Sequence, residues 1–164
     1  MIILSAIMCM LIVASLSYYK KINNLAKEYS FHYGLDRSLV LAIVKVESNF
    51  NSRAVSEANC KGLMQISEQT FVYVCKMYNL SFSYNEVFRP EVNLNVGCAY
   101  LNYLFQRFSS KNEVLCAYNA GEGRVSSWLS NPAYSKNGKT LDCIPFAETR
   151  EYLSKVLDYQ KKIR

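Results

Sequence analysis

Asp36-Arg37-Ser38-Leu39-Val40-Leu41-Ala42-Ile43-Val44-Lys45-Val46-Glu47-Ser48-Asn49-Phe50 is the stretch from which the fold is read. Asp36 suits a helix N-terminus, where its carboxylate accepts an orphan backbone N–H. Leu39, Ile43, Val46 and Phe50 follow at spacings of four, three and four, the mark of one core-facing helical row. A second row holds Val40 and Val44, and Glu47 extends it at the next helical position. Carboxylates rarely stand on such rows. Glu47 also falls in the last turn, at the negative end of the helix. Burial and the helix end both oppose ionisation, so both predict a raised pKa. A carboxylic acid that stays protonated near neutral pH can protonate a leaving glycosidic oxygen. The competing reading is a half-exposed surface Glu47 paired with Lys45 or Arg53.

Outward from this helix the helical period persists. Upstream, from Ile22, it is carried by Leu25, Ala26, Tyr29 and Tyr33, and Gly34 offers a stop. Downstream, 51–61 is polar and irregular, with a small β-hairpin expected over 51–62. Ser67 can cap a helix running through Phe71, Val74 and Cys75 to about Tyr78. Pro90 suits the first turn of a helix reaching Phe108, with Gly97, Leu101, Leu104 and Phe108 in one row. Shorter helices are expected over Asn112–Ala120 and around Val125, Trp128 and Leu129, the latter ending before Pro132. A loop over 133–145 precedes a last helix from about Pro145 to Ile163, with Tyr152, Val156 and Tyr159 on one side. No long alternating strand occurs, so the fold class is mainly α. The 164 residues, 51% hydrophobic and 20% charged, suffice for one globular domain, placed at 20–164.

Residues 1–19 read differently. Ile2 to Leu16 is an unbroken apolar and small-residue run, followed by Tyr18, Tyr19, Lys20 and Lys21. An N-terminal apolar helix is expected, as a membrane anchor, a cleaved signal peptide or a buried helix. No Lys or Arg precedes the run, and Ser15-Leu16-Ser17 is a poor cleavage site. Lysines directly after the run argue against export of the C-terminal part of the chain. The formal net charge of +6 favours an anionic partner, such as a membrane or a cell-wall polymer. Its basic residues are scattered, with pairs at Lys20-Lys21 and Lys161-Lys162, so no nucleic-acid role is expected. Six cysteines are present, Cys9 in the run and Cys60, Cys75, Cys98, Cys116 and Cys143 in the body. Five cannot all pair; several are expected as small core residues, with a single internal disulfide left open. His32 is the lone histidine and no Cys pair has ligand spacing, so no metal site is expected.

Four short words narrow the function. They are Glu47-Ser48-Asn49-Phe50, Gly62-Leu63-Met64-Gln65-Ile66, Ala117-Tyr118-Asn119-Ala120-Gly121, and Ile144-Pro145-Phe146-Ala147-Glu148-Thr149-Arg150-Glu151-Tyr152. In this order and at these separations they resemble the soluble lytic transglycosylase family, which shares the goose-type lysozyme fold. The resemblance covers roughly 22–160 and includes Asn93-Leu94-Asn95-Val96-Gly97. Cys60, Cys98 and Cys116 stand where the family has small residues, and Lys61 where an apolar or small one is common.

The resemblance implies a lysozyme-like helical domain with a long sugar cleft and no metal or organic cofactor. It implies cleavage of the β-1,4 bond between N-acetylmuramic acid and N-acetylglucosamine in peptidoglycan, with a 1,6-anhydro product, in the cell envelope outside the cytoplasmic membrane. Glu47 would serve as acid and then base. Glu57 could approach it, but the family has no second catalytic carboxylate to match. Ser48, Gly62, Met64, Gln65, Tyr118, Asn119, Glu148 and Tyr152 take substrate-side roles. Ser48 would hydrogen-bond near the scissile sugars, Gly62 admit a close approach, Met64 pack on sugar faces and Gln65 meet an N-acetyl group. Met64 reads equally well as core, Trp128 more readily so, and Glu148 as the partner of Arg150 or Arg124. A hydrolase of the same fold, an inactive binding domain and a basic membrane-associated protein are the other readings.

Overall fold

The computed structural model describes residues 2–163, with side chains from residue 7 onward. Seven α-helices appear among them: α1 Ile2–His32, α2 Arg37–Ser48, α3 Glu68–Met77, α4 Pro90–Arg107, α5 Lys111–Ala120, α6 Glu122–Leu129 and α7 Ala147–Lys162. A single 3-10 turn, Tyr84–Glu86, precedes α4.

The starts and stops follow local chemistry. Asp36 Oδ1 accepts the Ser38 N–H at 2.8 Å and the Ser38 hydroxyl at 2.7 Å, fixing the start of α2. Ser67 caps α3 through the Thr70 N–H, and Pro90 opens α4. Helix α2 ends at Ser48, two residues before its apolar row runs out. Asn49 and Phe50 both take left-handed backbone (φ 50° and 65°), so the chain turns away and Phe50 leaves the helix. Phe50 instead meets the Tyr19 ring edge-on, with centroids 5.1 Å apart.

The buried centre of the domain is α2, with Leu39, Val40, Ile43 and Val44 all inaccessible or nearly so. Helices α1 and α7 flank it. Helix α4 packs on α1, α3 and α5, with Gly97, Leu101 and Leu104 of the expected row buried, while α5 packs on α6 and α7. The expected 51–62 hairpin is not formed as strands. Isolated bridges join Val55 to Lys61 and Lys61 to Ile66. Positive φ at Asn59, Gly62 and Gln65 bends the chain too sharply for a pleated strand. All six cysteines are free, so no internal disulfide forms; Cys75, Cys98 and Cys116 are buried core residues. Trp128 is buried against Phe146, a core residue as expected.

The apolar run and the helix expected from Ile22 are one continuous helix. Ile22 and Ala26 are fully buried, whereas Ile7, Met8, Met10, Leu11, Ile12, Val13 and Leu16 are each more than half exposed. The buried-helix reading therefore fails for 7–16. No helix among the described residues is long and apolar enough to cross a membrane.

Candidate active site

Glu47, in the last turn of α2, opens into a cleft of about 460 Å³ shared with Glu57, Cys60, Gln65, Tyr118, Asn119 and Glu148. A second hollow of about 250 Å³ is lined by Ser67, Thr70, Tyr100 and Gly121, and shares Cys60, Gln65, Tyr118 and Asn119 with the first. The groove therefore continues past Tyr118. A larger hollow of about 820 Å³ lies beside α1, but its acids Glu86 and Glu91 are ion-paired with Arg89. The buried acid of raised pKa, not volume, marks the candidate site.

Burial pushes the Glu47 carboxyl up to about 7. The Tyr152 hydroxyl acts the other way by favouring the ionised form, and the negative charge of Glu148 adds a further push upward. No ion pair involves Glu47 among the described residues. Lys45 turns to Asn49 and lies over the Tyr159 ring, while Arg53 lines the hollow beside α1. The expected alternative of a Glu47 pair with Lys45 or Arg53 thus fails, and the half-buried side chain opens into the cleft instead.

Two tyrosines frame the acid. Tyr118 donates to the Met64 carbonyl at 2.8 Å. Burial first, then Glu47, pushes its pKa well above the usual phenol value, so it stays a neutral donor. Tyr152 comes from α7, is buried, and is raised by the same two causes. Its hydroxyl has no partner at hydrogen-bonding distance among the described residues, yet lies close enough to Glu47 to influence it. An unpaired buried hydroxyl beside a protonatable acid is poised to bond the carboxylate once the proton leaves.

The other expected residues divide between groove and frame. Gln65, in left-handed backbone, faces the groove while its amide donates to the Ala54 and Gly62 carbonyls at 3.2 and 2.9 Å. Asn119 also lines the groove; its side-chain oxygen accepts from the buried Thr149 hydroxyl at 2.8 Å, tying α5 to α7. Glu148 is exposed at the cleft rim and makes no ion pair among the described residues. Arg150 and Arg124 bond backbone carbonyls instead. Ser48, Gly62 and Met64 do not line the cleft. The Ser48 hydroxyl bonds the Leu63 carbonyl at 2.8 Å and that of Val44 at 3.1 Å, pinning the loop to α2. Met64 is fully buried, packed on Gly97, where any Cβ would collide with its sulfur. Gly62 (φ 80°) makes room for the Asn93 side chain.

Asn93 organises this loop, although the four motifs give it no role. Fully buried on α4, it accepts the Met64 N–H at 2.8 Å and donates to the Lys61 and Val87 carbonyls, both at 2.9 Å. The signal was present. Asn93 extends the Gly97, Leu101, Leu104 and Phe108 row backward by four, a polar residue on an apolar row just as Glu47 is. Thr149 has no comparable mark, since its partner lies on another helix.

Known proteins resemble this chain in both sequence and fold. The family model described as the transglycosylase SLT domain matches residues 24–141. The chain is 37% identical over 147 residues to a soluble lytic murein transglycosylase of Escherichia coli (strain K12), spanning 87% of this chain and 23% of that protein. It is 37% identical over 165 residues to a membrane-bound lytic murein transglycosylase C of Sodalis glossinidius, spanning 85% of this chain and 46% of that one. A solved complex of a 70-kDa soluble lytic transglycosylase with bulgecin A superposes with a TM-score of 0.77 at 35% identity, over 87% of this chain and 24% of that one. The chain spans less than half the length of each of these relatives.

Proposed function

We propose that this chain, which belongs to the transglycosylase SLT domain family, is a lytic transglycosylase acting on peptidoglycan. The observation that carries this reading is Glu47: an acid held near 7, without an ion-pair partner, in a groove continuous past Tyr118. Protonated Glu47 gives its proton to the glycosidic oxygen between N-acetylmuramic acid and N-acetylglucosamine, and the C1–O bond breaks. The substrate's own 2-acetamido oxygen stabilises the cation at C1 in place of a protein nucleophile. The Glu47 carboxylate, assisted by Tyr152, then takes the proton of the muramic acid C6 hydroxyl, and that oxygen closes on C1. No water is consumed, and Glu47 ends the cycle protonated. Gln65 offers its amide oxygen and Asn119 its amide N–H to the N-acetyl groups, and Tyr100 and Tyr118 offer ring faces along the groove.

A hydrolase is the second reading, because Glu57 and Glu148 line the same cleft and either could activate a water. Mass spectrometry of fragments released from purified peptidoglycan by the full chain separates the two. Anhydromuropeptides support the transglycosylase. Products one water heavier move the assignment to the hydrolase, and no release at all leaves a binding domain.

The acid step also sets a pH dependence. Glu47 must carry its proton, so turnover is expected to fall as pH rises through about 7. Tyr152 holds that pKa down, so Tyr152→Phe should move the alkaline limb to higher pH. Glu148 holds it up, so Glu148→Gln should move the limb to lower pH, by less. Initial rates between pH 5 and 9 on one substrate preparation check both directions, and shifts of the same sign would overturn this account.

The site of action we infer is the cell envelope, with the exposed apolar part of α1 inserted in the membrane. Flotation of the full chain with vesicles of phosphatidylglycerol and phosphatidylethanolamine is expected, and its loss on deleting residues 2–17. Protease accessibility on intact cells tests the side of the membrane; full protection of 22–164 contradicts an extracytoplasmic enzyme.

A further inference from the structure

The exposed apolar half of α1 and the catalytic end of α2 lie at the same end of the domain. At about 100° per residue, Ile7, Met8, Met10, Leu11, Ile12, Val13 and Leu16 point all round the helix, and all are exposed. A protein partner or a second copy covers one face of a rod. Hydrocarbon covers every face, so a bilayer is the occupant that fits. Tyr18, Tyr19, Lys20 and Lys21 follow at once, residue types that sit at a membrane interface. From there the helix runs into the core without glycine or proline, and Ile22 and Ala26 are buried. No hinge separates the apolar part from the domain.

Helices α1 and α2 form a hairpin joined through 33–36. Tyr19 lies fourteen residues before Tyr33, Phe50 lies fourteen after Asp36, and the Tyr19 and Phe50 rings touch. The end of α2 is therefore level with the interfacial residues. Glu47 precedes Phe50 by three residues, about 5 Å along a helix axis. At the same level Tyr18, Lys21, Arg53 and Arg89 line one hollow with Glu86 and Glu91, and the exposed Arg53 cation suits an anionic headgroup layer.

We propose that the continuous α1 holds the catalytic groove rigidly at the bilayer surface, so that the substrate is glycan lying against the membrane, such as strands still held there by a lipid-linked end. This rests on the membrane insertion and the enzyme activity inferred above. Glycan deeper in the wall lies beyond its reach.

The test uses the full chain in vesicles of phosphatidylglycerol and phosphatidylethanolamine, and first asks where the domain sits. A fluorophore placed at Asn51, beside the end of α2, should be quenched by a headgroup-attached quencher more strongly than one at Phe31, about 18 Å further along α1. A muropeptide oligomer is then coupled to lipid either directly or through a rigid spacer about 30 Å long. That length matches the reach of a flexible Gly/Ser insert of about 30 residues placed between Ser17 and Tyr18. The unaltered chain should cleave the directly coupled oligomer roughly tenfold faster than the raised one, and the insert variant should bring the two rates within about twofold. Equal quenching at Asn51 and Phe31, or stronger quenching at Phe31, overturns the orientation while membrane insertion stands. Equal rates on both oligomers by the unaltered chain overturn the substrate assignment. Failure to float removes the insertion itself, and cleavage of neither oligomer, with quenching as expected, locates the failure in the enzyme reading.

Discussion

Glu47→Gln is expected to lower the rate of anhydromuropeptide release by on the order of 10³-fold, the upper part of the range for general acid–base groups. The side chain keeps its shape and its place on the buried row but can neither give nor take a proton. Since one residue serves both steps, no other group in the cleft replaces it. Substrate binding should change little, because the amide still hydrogen-bonds, so the loss belongs in kcat and not in KM. The same variant should be the more stable protein at high pH. The ordinary carboxyl value is 4.5, and in the folded chain it rises to about 7. Between these values the folded state holds a proton that the unfolded chain has released, so stability is fully present below 4.5 and declines as pH rises through 7. A shift of this size corresponds to roughly 3 kcal/mol, reduced by the exposure of Glu47 to the cleft, so about 1–2 kcal/mol should return at pH 8 and none at pH 4. Thermal melts of both proteins at the two pH values, beside single-turnover rates, check this. A variant that loses activity and stability together would show that Glu47 is a structural residue.

Asn93→Ala is expected to cost about 3–5 kcal/mol, a large part of the stability of a domain this size. Three backbone groups lose their partner: the Met64 N–H and the Lys61 and Val87 carbonyls. The Lys61 carbonyl keeps the Ile66 N–H at 3.0 Å, so the burden falls on the other two and on the vacated volume. The consequence reaches the groove. Once the 61–66 loop loosens, the Met64 carbonyl no longer fixes Tyr118, and Gln65 loses its left-handed conformation. Chemical denaturation measures the loss, and activity below the melting range should fall as well. Gly62→Ala should act on the same contact from the other side, since its Cβ would strike the Asn93 amide in a backbone conformation that disfavours any side chain. Full stability of Asn93→Ala would mean that the remaining bonds to the loop, among them those of Ser48, Gln65 and Tyr118, hold it without Asn93.

The sequence by itself determined the helices and the acid. Helical starts depend on one residue and its near neighbours, as at Asp36, Ser67 and Pro90, and core rows depend on spacing along one helix. The buried position of Glu47 was legible for the same reason: an acid on an apolar row at a helix end carries its own mark, and the four words around it pointed to the family. Tertiary structure alone decided which motif residues line the groove. Ser48, Gly62 and Met64 are spent on backbone and core contacts, because Leu63, Asn93 and Gly97 come from segments brought together only by folding. Asn49 and Phe50 continue the helical period yet turn out of it, since a left-handed cap is a choice made by the surface on which Phe50 packs. That partner is Tyr19, thirty-one residues upstream, and the contact brings the apolar half of α1 to the end of the molecule that carries Glu47. Spacing along a chain encodes what one helix buries; the meeting of two helices depends on shape complementarity between surfaces far apart in sequence, which no local pattern records.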